Sequence, residues 1–282
     1  MSFKKTLDVI IDVETIDIYA PQYNMDNWNR AIFNVGITSV ERVKRDIQFA
    51  QQIGIEKCWG VGKRYIRDFY RKNFTRGDFE RMFVTFKEFT EWFNGYIEDS
   101  KKEYNLEYWS YNAMFDRGAF EENAKREGVE INSHTISKWK CIMILAMEII
   151  KDKHSVQYAN WIVETAYTVK HSKDKILEYI TPKGNMRTTA QVVYRFIMND
   201  PSFIELHKGL QDTQCEAEIL KWCQAHKKWT LYNSSPGMGW SIVNSEFKRG
   251  EAGHLQDEFA QLTYTNREKF NELFDIITKV TE

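Results

Sequence analysis

The 282 residues include only four prolines and 14 glycines, too few for a disordered chain or for long flexible linkers. The four cysteines (Cys58, Cys141, Cys215 and Cys223) show no paired spacing, which argues against a disulfide framework and suits free thiols in a reducing compartment. Cys215, Cys223 and His226 lie close together, but no fourth ligand stands at a fitting spacing and both cysteines fall in a helical pattern, so a structural zinc site is not expected. Long apolar runs are also missing. The longest, "CIMILAMEII" at 141–150, is about half a membrane span and carries Glu148. The opening "MSFKKTLDVI" lacks the apolar stretch of a signal peptide, so no membrane association and a cytoplasmic location are expected. Nor is there an excess of charge of one sign. A net charge of −1 creates no global positive field toward a polyanion, although charge can still be local. The remaining composition, 43% hydrophobic, 28% charged and 15% aromatic, is that of a globular protein long enough to bury a core.

Hydrophobic periodicity organises the chain. Residues 6–13 read as a buried strand, and "AIFNVGITSVERV" at 31–43, rich in β-branched residues, reads as a second. "RDIQFAQQIGIE" is ambiguous and admits a third. In "TFKEFTEWFNGYIEDS" (85–100), Phe86, Phe89, Trp92, Phe93 and Ile97 recur at helical spacing, with Thr85 placed to cap the start. A short strand, "LEYWSYN" (106–112), precedes the helix "MFDRGAFEENAKREG", which Gly128 closes. A helix is expected across 136–150. Residues 186–226 read as mostly helical, with a break at Asn199-Asp200-Pro201. Residues 227–282 open with the loop "NSSPGMGW" and end in the helix-like "NREKFNELFDIITKV". Early strands followed by strand and helix in alternation predict an α/β fold with a mixed sheet flanked by helices.

Three short stretches carry the chemistry. In "VIIDVET" (9–15), Asp12 and Glu14 follow a buried run at a spacing of two, so both carboxylates project from one face of the strand. Two close anions in a poorly solvated place repel, and a metal cation resolves that cost; a strand that has already ended in a solvated turn avoids it. In "YNAMFDRGAF" (111–120), Asp116 lies in the first turn of a helix that follows a strand, where the helix dipole alone is reason enough for an acid. In "ELHKGLQDTQCEAEIL" (205–220), His207 precedes Asp212 by five residues, a spacing that can bring an imidazole and a carboxylate to one cleft, although a histidine ahead of a helix also serves as a structural hydrogen-bonder.

Taken together, in this order, the three stretches resemble the DEDDh family of 3′–5′ exonucleases, the DnaQ-like branch of the ribonuclease H-like fold. The matching elements are Asp12-Val13-Glu14-Thr15, Asn112-Ala113-Met114-Phe115-Asp116 and His207-Lys208-Gly209-Leu210-Gln211-Asp212. The resemblance runs from residue 6 to about 226. It implies an exonuclease domain over 1–226, with 227–282 as a C-terminal extension packed on the same domain. It further implies metal-dependent cleavage of DNA or RNA from a single-stranded 3′ end, releasing nucleoside 5′-monophosphates. Two Mg²⁺ or Mn²⁺ ions are implied as cofactors, with Asp12, Glu14, Asp116 and Asp212 as their ligands and Asp12 bridging both. His207 takes the part of general base, while Thr15, Asn112, Phe115 and Lys208 are placed against the substrate. Lys208 departs from relatives, which often carry a small residue or threonine there. Residues 44–84 have no clear counterpart in the family.

Phosphodiester hydrolysis requires an activated water, a neutralised phosphate and a stabilised leaving oxygen, all of which two divalent ions about 4 Å apart supply. Hard cations prefer oxygen ligands, which suits a carboxylate cage. An imidazole titrating close to neutrality can take the proton of the attacking water. No serine sits in a nucleophile elbow, and "GVGKR" (60–64) lacks the spacing of a phosphate-binding loop. Between residues 63 and 76, Arg64, Arg67 and Arg71 stand among further cations and interleaved aromatics, a mixture suited to a single-stranded track or to a packed helix with a solvated basic face. Two alternatives remain beside the exonuclease: a nucleic-acid-binding or scaffolding protein on a decayed nuclease fold, and a nuclease restricted to short oligonucleotides.

Overall fold

A computed structural model describes residues 4–15, 32–39, 44–48, 86–132, 139–226 and 262–279. The chain divides into two compact units, one made of residues 1–142 and 205–217 and the other of 143–204 and 218–282. Residue 226, the boundary expected from the sequence, falls inside the second unit.

The first unit is built on a five-stranded mixed sheet. Its strands are β1 (Lys5–Thr15), β2 (Ile32–Ser39), β3 (Lys44–Gln48), β4 (Tyr104–Ser110) and β5 (Trp139–Cys141), in the order β3-β2-β1-β4-β5. β1 runs antiparallel to β2 and parallel to β4, and Val9, Ile10 and Ile11 at its centre are fully buried. That burial on both faces explains why the strand reads as a continuous apolar run instead of an alternation. The ambiguous third stretch supplies the edge strand β3, paired with β2 through Asn34–Thr38.

The helix expected over 136–150 is present only in its later part. Trp139–Cys141 pairs in parallel with Tyr108–Ser110, and helix α3 (Ile142–Ile149) begins only afterwards, passing into a π-helical turn at Ile150–His154. Tertiary packing overrides the local pattern. The Trp139 indole donates to Ser110 Oγ at 2.6 Å and lies edge-on to Phe120.

The ladder decides which helix covers which face, because residues directly opposite in register share a face. Val9 stands opposite Tyr108, which stands opposite Trp139. Helices α1 (Phe86–Glu103) and α2 (Ala113–Glu127) pack on this side through Phe86, Phe89, Phe93 and Phe120, whose rings lie 5.5 to 6.2 Å apart. Of the expected stripe on α1, Phe86, Phe89, Phe93 and Ile97 are buried and Trp92 is half-buried, and Gly128, at φ 62, closes α2 as expected. Thr85, the expected cap of α1, lies outside the described residues. The opposite face carries Asp12 against Gly36 and Ile10 against Thr38.

The second unit is helical. Helix α4 (Ser155–Thr168) buries Tyr158, Ile162, Val163 and Ala166, and α5 (Lys173–Ile176) is a single turn. Helix α6 (Ala190–Met198) ends at Asn199 in the left-handed region, just before the expected break at Pro201. Arg195 is buried there; it pairs with Glu178 at 2.9 Å and donates to the Phe203 carbonyl. Helix α7 (Gly209–His226) begins in the first unit and ends in the second, and the C-terminal helix α8 (Tyr264–Thr278) joins α4 through Lys269 and Glu164. No helix among the described residues is long and apolar enough to cross a membrane.

Candidate metal centre

β1 continues to Thr15, whereas its parallel neighbour β4 stops at Ser110, opposite Ile11. The backbone of Asp12–Thr15 is therefore left without a strand partner on that side, at the carboxyl edge of two parallel strands where open α/β sheets form their crevices. Side chains take over the vacated positions. Ser110 Oγ donates to the Ile11 carbonyl at 2.6 Å, and the Val13 N–H donates to Asp116 Oδ1 at 3.1 Å. This hydrogen bond places Asp116 against the residue between Asp12 and Glu14. The turn that delivers it is made by Asn112, which adopts φ 60 to start α2. Asparagine tolerates the left-handed region better than most residues.

Helix α7 brings the third motif to the same place. It starts directly on β2, where a Cβ at Gly36 would overlap the carbonyl group of Gly209, so the helix end and the strand meet backbone to backbone. One turn on, the hydroxyls of Thr213 and Thr38 lie 2.8 Å apart, fixing the helix along the strand. Gly36 stands opposite Asp12 in register, so this close approach sets Asp212 over the first-strand acids. Ligand atoms of Glu14, His207 and Asp212 lie within 4.8 Å of one another. Asp212 shares a hydrogen bond with Glu14. His207 sits at φ 53, a conformation that costs energy in a non-glycine residue and persists only where its surroundings enforce it.

The electrostatics follow from crowding. Burial, with the Glu205 carboxylate beside it, pushes Asp12 up to about 8. Burial and the Asp12 charge raise Glu14 and Asp116 well above the ordinary carboxylate range. Asp212 is pushed up to about 11 by burial and then by Asp12, Glu205 and Glu14. Among the described residues, the charges that act on Asp116 and Asp212 come from other carboxylates. His207 moves the other way: burial lowers it to about 4, which keeps the ring neutral, where its sequence alone suggested titration near neutrality. A neutral ring offers a nitrogen lone pair to a proton or to a metal.

Two acids absent from the sequence-based set belong to this cluster. Glu205 acts on Asp12, Glu14 and Asp212, and Glu216 is buried within reach of Asp12 and Asp116. Glu216 had a legible signal, since it follows Asp212 by one helical turn, whereas Glu205 stands two residues before His207 in a stretch without regular structure, where no spacing rule places it. Of the residues expected at the substrate, Thr15 is buried at the end of β1, Phe115 and Lys208 are half-buried, next in sequence to Asp116 and His207 respectively, and Asn112 forms the turn. Arg64, Arg67 and Arg71 lie outside the described residues.

Asp12 Oδ2 and Glu216 Oε2 are sealed from solvent without a hydrogen-bond partner among the described residues. Unsatisfied carboxylate oxygens in a nest of like charges are the donor set a hard divalent cation requires, so the residues present fit such an ion. Set against models of known protein families and against curated proteins, the chain matches none.

Proposed function

We propose that this protein is a metal-dependent 3′–5′ exonuclease that hydrolyses phosphodiester bonds of DNA or RNA to nucleoside 5′-monophosphates. The observation that carries the reading is the convergence of Asp12, Glu14, Asp116 and Asp212, distant in sequence, into one buried carboxylate cluster with His207 against it. Leaving so many buried acids together is unfavourable for a fold that gains nothing from them, and divalent cations remove the penalty. The mixed sheet flanked by helices is compatible with the ribonuclease H-like fold that the three motifs suggest.

When bound, two divalent ions supply water activation, neutralisation of the phosphate and stabilisation of the leaving 3′ oxygen. The residues that would hold them are Asp12, Glu14, Asp116 and Asp212. Asp116 is oriented by the Val13 N–H, and Asp212 by the seating of α7 on Gly36. His207, kept neutral by burial, accepts the proton of the attacking water at a ring nitrogen. Thr15, Asn112, Phe115 and Lys208 line the approach in this reading, and a substrate with a single-stranded 3′ end suits the basic, aromatic stretch around Arg64, Arg67 and Arg71.

The test is incubation of the pure protein with end-labelled DNA and RNA, single- and double-stranded, with Mg²⁺, with Mn²⁺ and with excess chelator. Stepwise release of 5′-mononucleotides from the 3′ end, only with metal, is expected. Hydrolysis undiminished in chelator, or tight substrate binding with no metal-dependent turnover, rejects the reading.

A further inference from the structure

Glu216 is 2% exposed, on the face of α7 that also carries Asp212 one turn earlier. Its carboxylate accepts a hydrogen bond from the backbone N–H of Tyr111, the residue at which β4 gives way to the turn into α2. That bond accounts for one acceptor position. The other oxygen, Oε2, is sealed from solvent and has no hydrogen-bond partner among the described residues. The charges that act on Glu216 are Asp12, then Asp116, then Glu205. A buried acid serving only to cap Tyr111 would need one oxygen and no charge, and a glutamine would serve the same purpose without repulsion. A carboxylate left half-satisfied beside Asp12 and Asp116 has a use only where a cation enters.

We propose that Glu216 is a fifth carboxylate of the metal centre, completing the shell of the ion held by Asp12 and Asp116. The proposal rests on the metal-dependent reading above. Helix α7 then serves both sides of the site: Asp212 turns toward Glu14 and His207, and Glu216, one turn on, turns toward Asp116. Tyr111 is the lever that sets Glu216, so the end of β4 positions Glu216 through its backbone and Asp116 through the helix that follows.

The test uses Mn²⁺ binding to the full chain, read by the loss of the free-ion electron paramagnetic resonance signal and by calorimetry, without substrate. Glu216→Gln keeps the acceptor for the Tyr111 N–H and removes only the charge. Two Mn²⁺ sites are expected in the wild type, and in Glu216→Gln one of them weakens at least tenfold. The metal-free variant is expected to melt at or above the wild-type temperature, because a buried like charge has gone. Glu216→Ala, measured the same way, guards against an effect peculiar to the amide. Both ions held at wild-type affinity in the two variants overturn the proposal. A wild-type chain that binds no Mn²⁺ at all overturns instead the metal-dependent reading on which it stands, and the two failures are told apart by which protein shows them.

Discussion

Gly36 on β2 and Gly209 at the start of α7 meet backbone to backbone, with no room for a Cβ between them. Gly36 is the register partner of Asp12, so this contact, made without side chains, decides how closely α7, which carries Asp212 and follows directly on His207, approaches the first-strand acids. Gly36→Ala is expected to lift the start of α7, cost at least about 3 kcal/mol of stability and abolish turnover. Gly95→Ala is the matched control. Gly95 lies mid-helix in α1 with nothing near its would-be Cβ, so the change should stabilise by about 0.5–1 kcal/mol and leave activity intact. Chemical denaturation and a nuclease assay on both variants check the pair.

Asp12→Asn is expected to abolish metal-dependent hydrolysis while leaving the protein folded. In chelator the variant should be more stable than the wild type by on the order of 1 kcal/mol near pH 8, because a buried like charge is removed. Full activity of Asp12→Asn excludes the assigned role, and a marked loss of stability in chelator would show that the carboxylate is structural.

The metal-free protein should lose stability as pH rises. Asp12 binds its proton more tightly folded, at about 8, than unfolded, so its contribution is fully present below about 3.8 and is lost as pH climbs through 8. His207 acts oppositely. Its folded value of about 4 lies below 6.5, so its contribution is present above 6.5 and lost as pH falls toward 4. The two offset each other in the acid range. Between about pH 6.5 and 8 the carboxylates act alone; Asp12 by itself gives a slope of up to about −1.4 kcal/mol per pH unit, and each further raised carboxyl steepens it. Melting temperatures in chelator should fall across this window, and saturating Mn²⁺ should flatten the decline. A rising melting temperature in chelator contradicts the raised carboxylates.

His207→Ala is expected to lower turnover by roughly 10²-fold or more with little change in substrate binding. Because burial keeps the wild-type ring neutral down to about 4, the rate at saturating metal should show no inflection near 6.5. A clear inflection there, lost in the variant, would mean that the ring titrates as an exposed histidine does.

Replacing Arg64, Arg67 and Arg71 with glutamine is expected to weaken binding of long single strands and to flatten its dependence on salt, while a dinucleotide is hydrolysed at close to the wild-type rate. Equal losses on long and short substrates would place these residues in the active site or in the fold. Unchanged affinity for long strands would leave them as solvated surface.

The elements with strong local patterns were legible in the sequence. These include the apolar run of β1, the 3-4 spacing of α1, the glycine that closes α2 and the break after α6, because each is a property of neighbouring residues and the periodicity of the backbone. Asp12 and Glu14 were legible as a pair on one face of a strand, while Asp116, His207 and Asp212 were joined to them only by the resemblance of the three motifs, taken in order, to a known family. What the tertiary structure decided was everything that depends on where one element lands on another. Trp139–Cys141 became a strand because β4 offered an unpaired edge and Phe120 a surface for the indole. Asp116 was fixed by a backbone N–H that β4 left unpaired by stopping early. Glu205 and Glu216 joined the centre because α7 could sit on a glycine, and the same burial drove the His207 ring below and the carboxylates above their ordinary titration ranges. Desolvation and mutual repulsion are properties of a place in the fold, and no local stretch of sequence contains them.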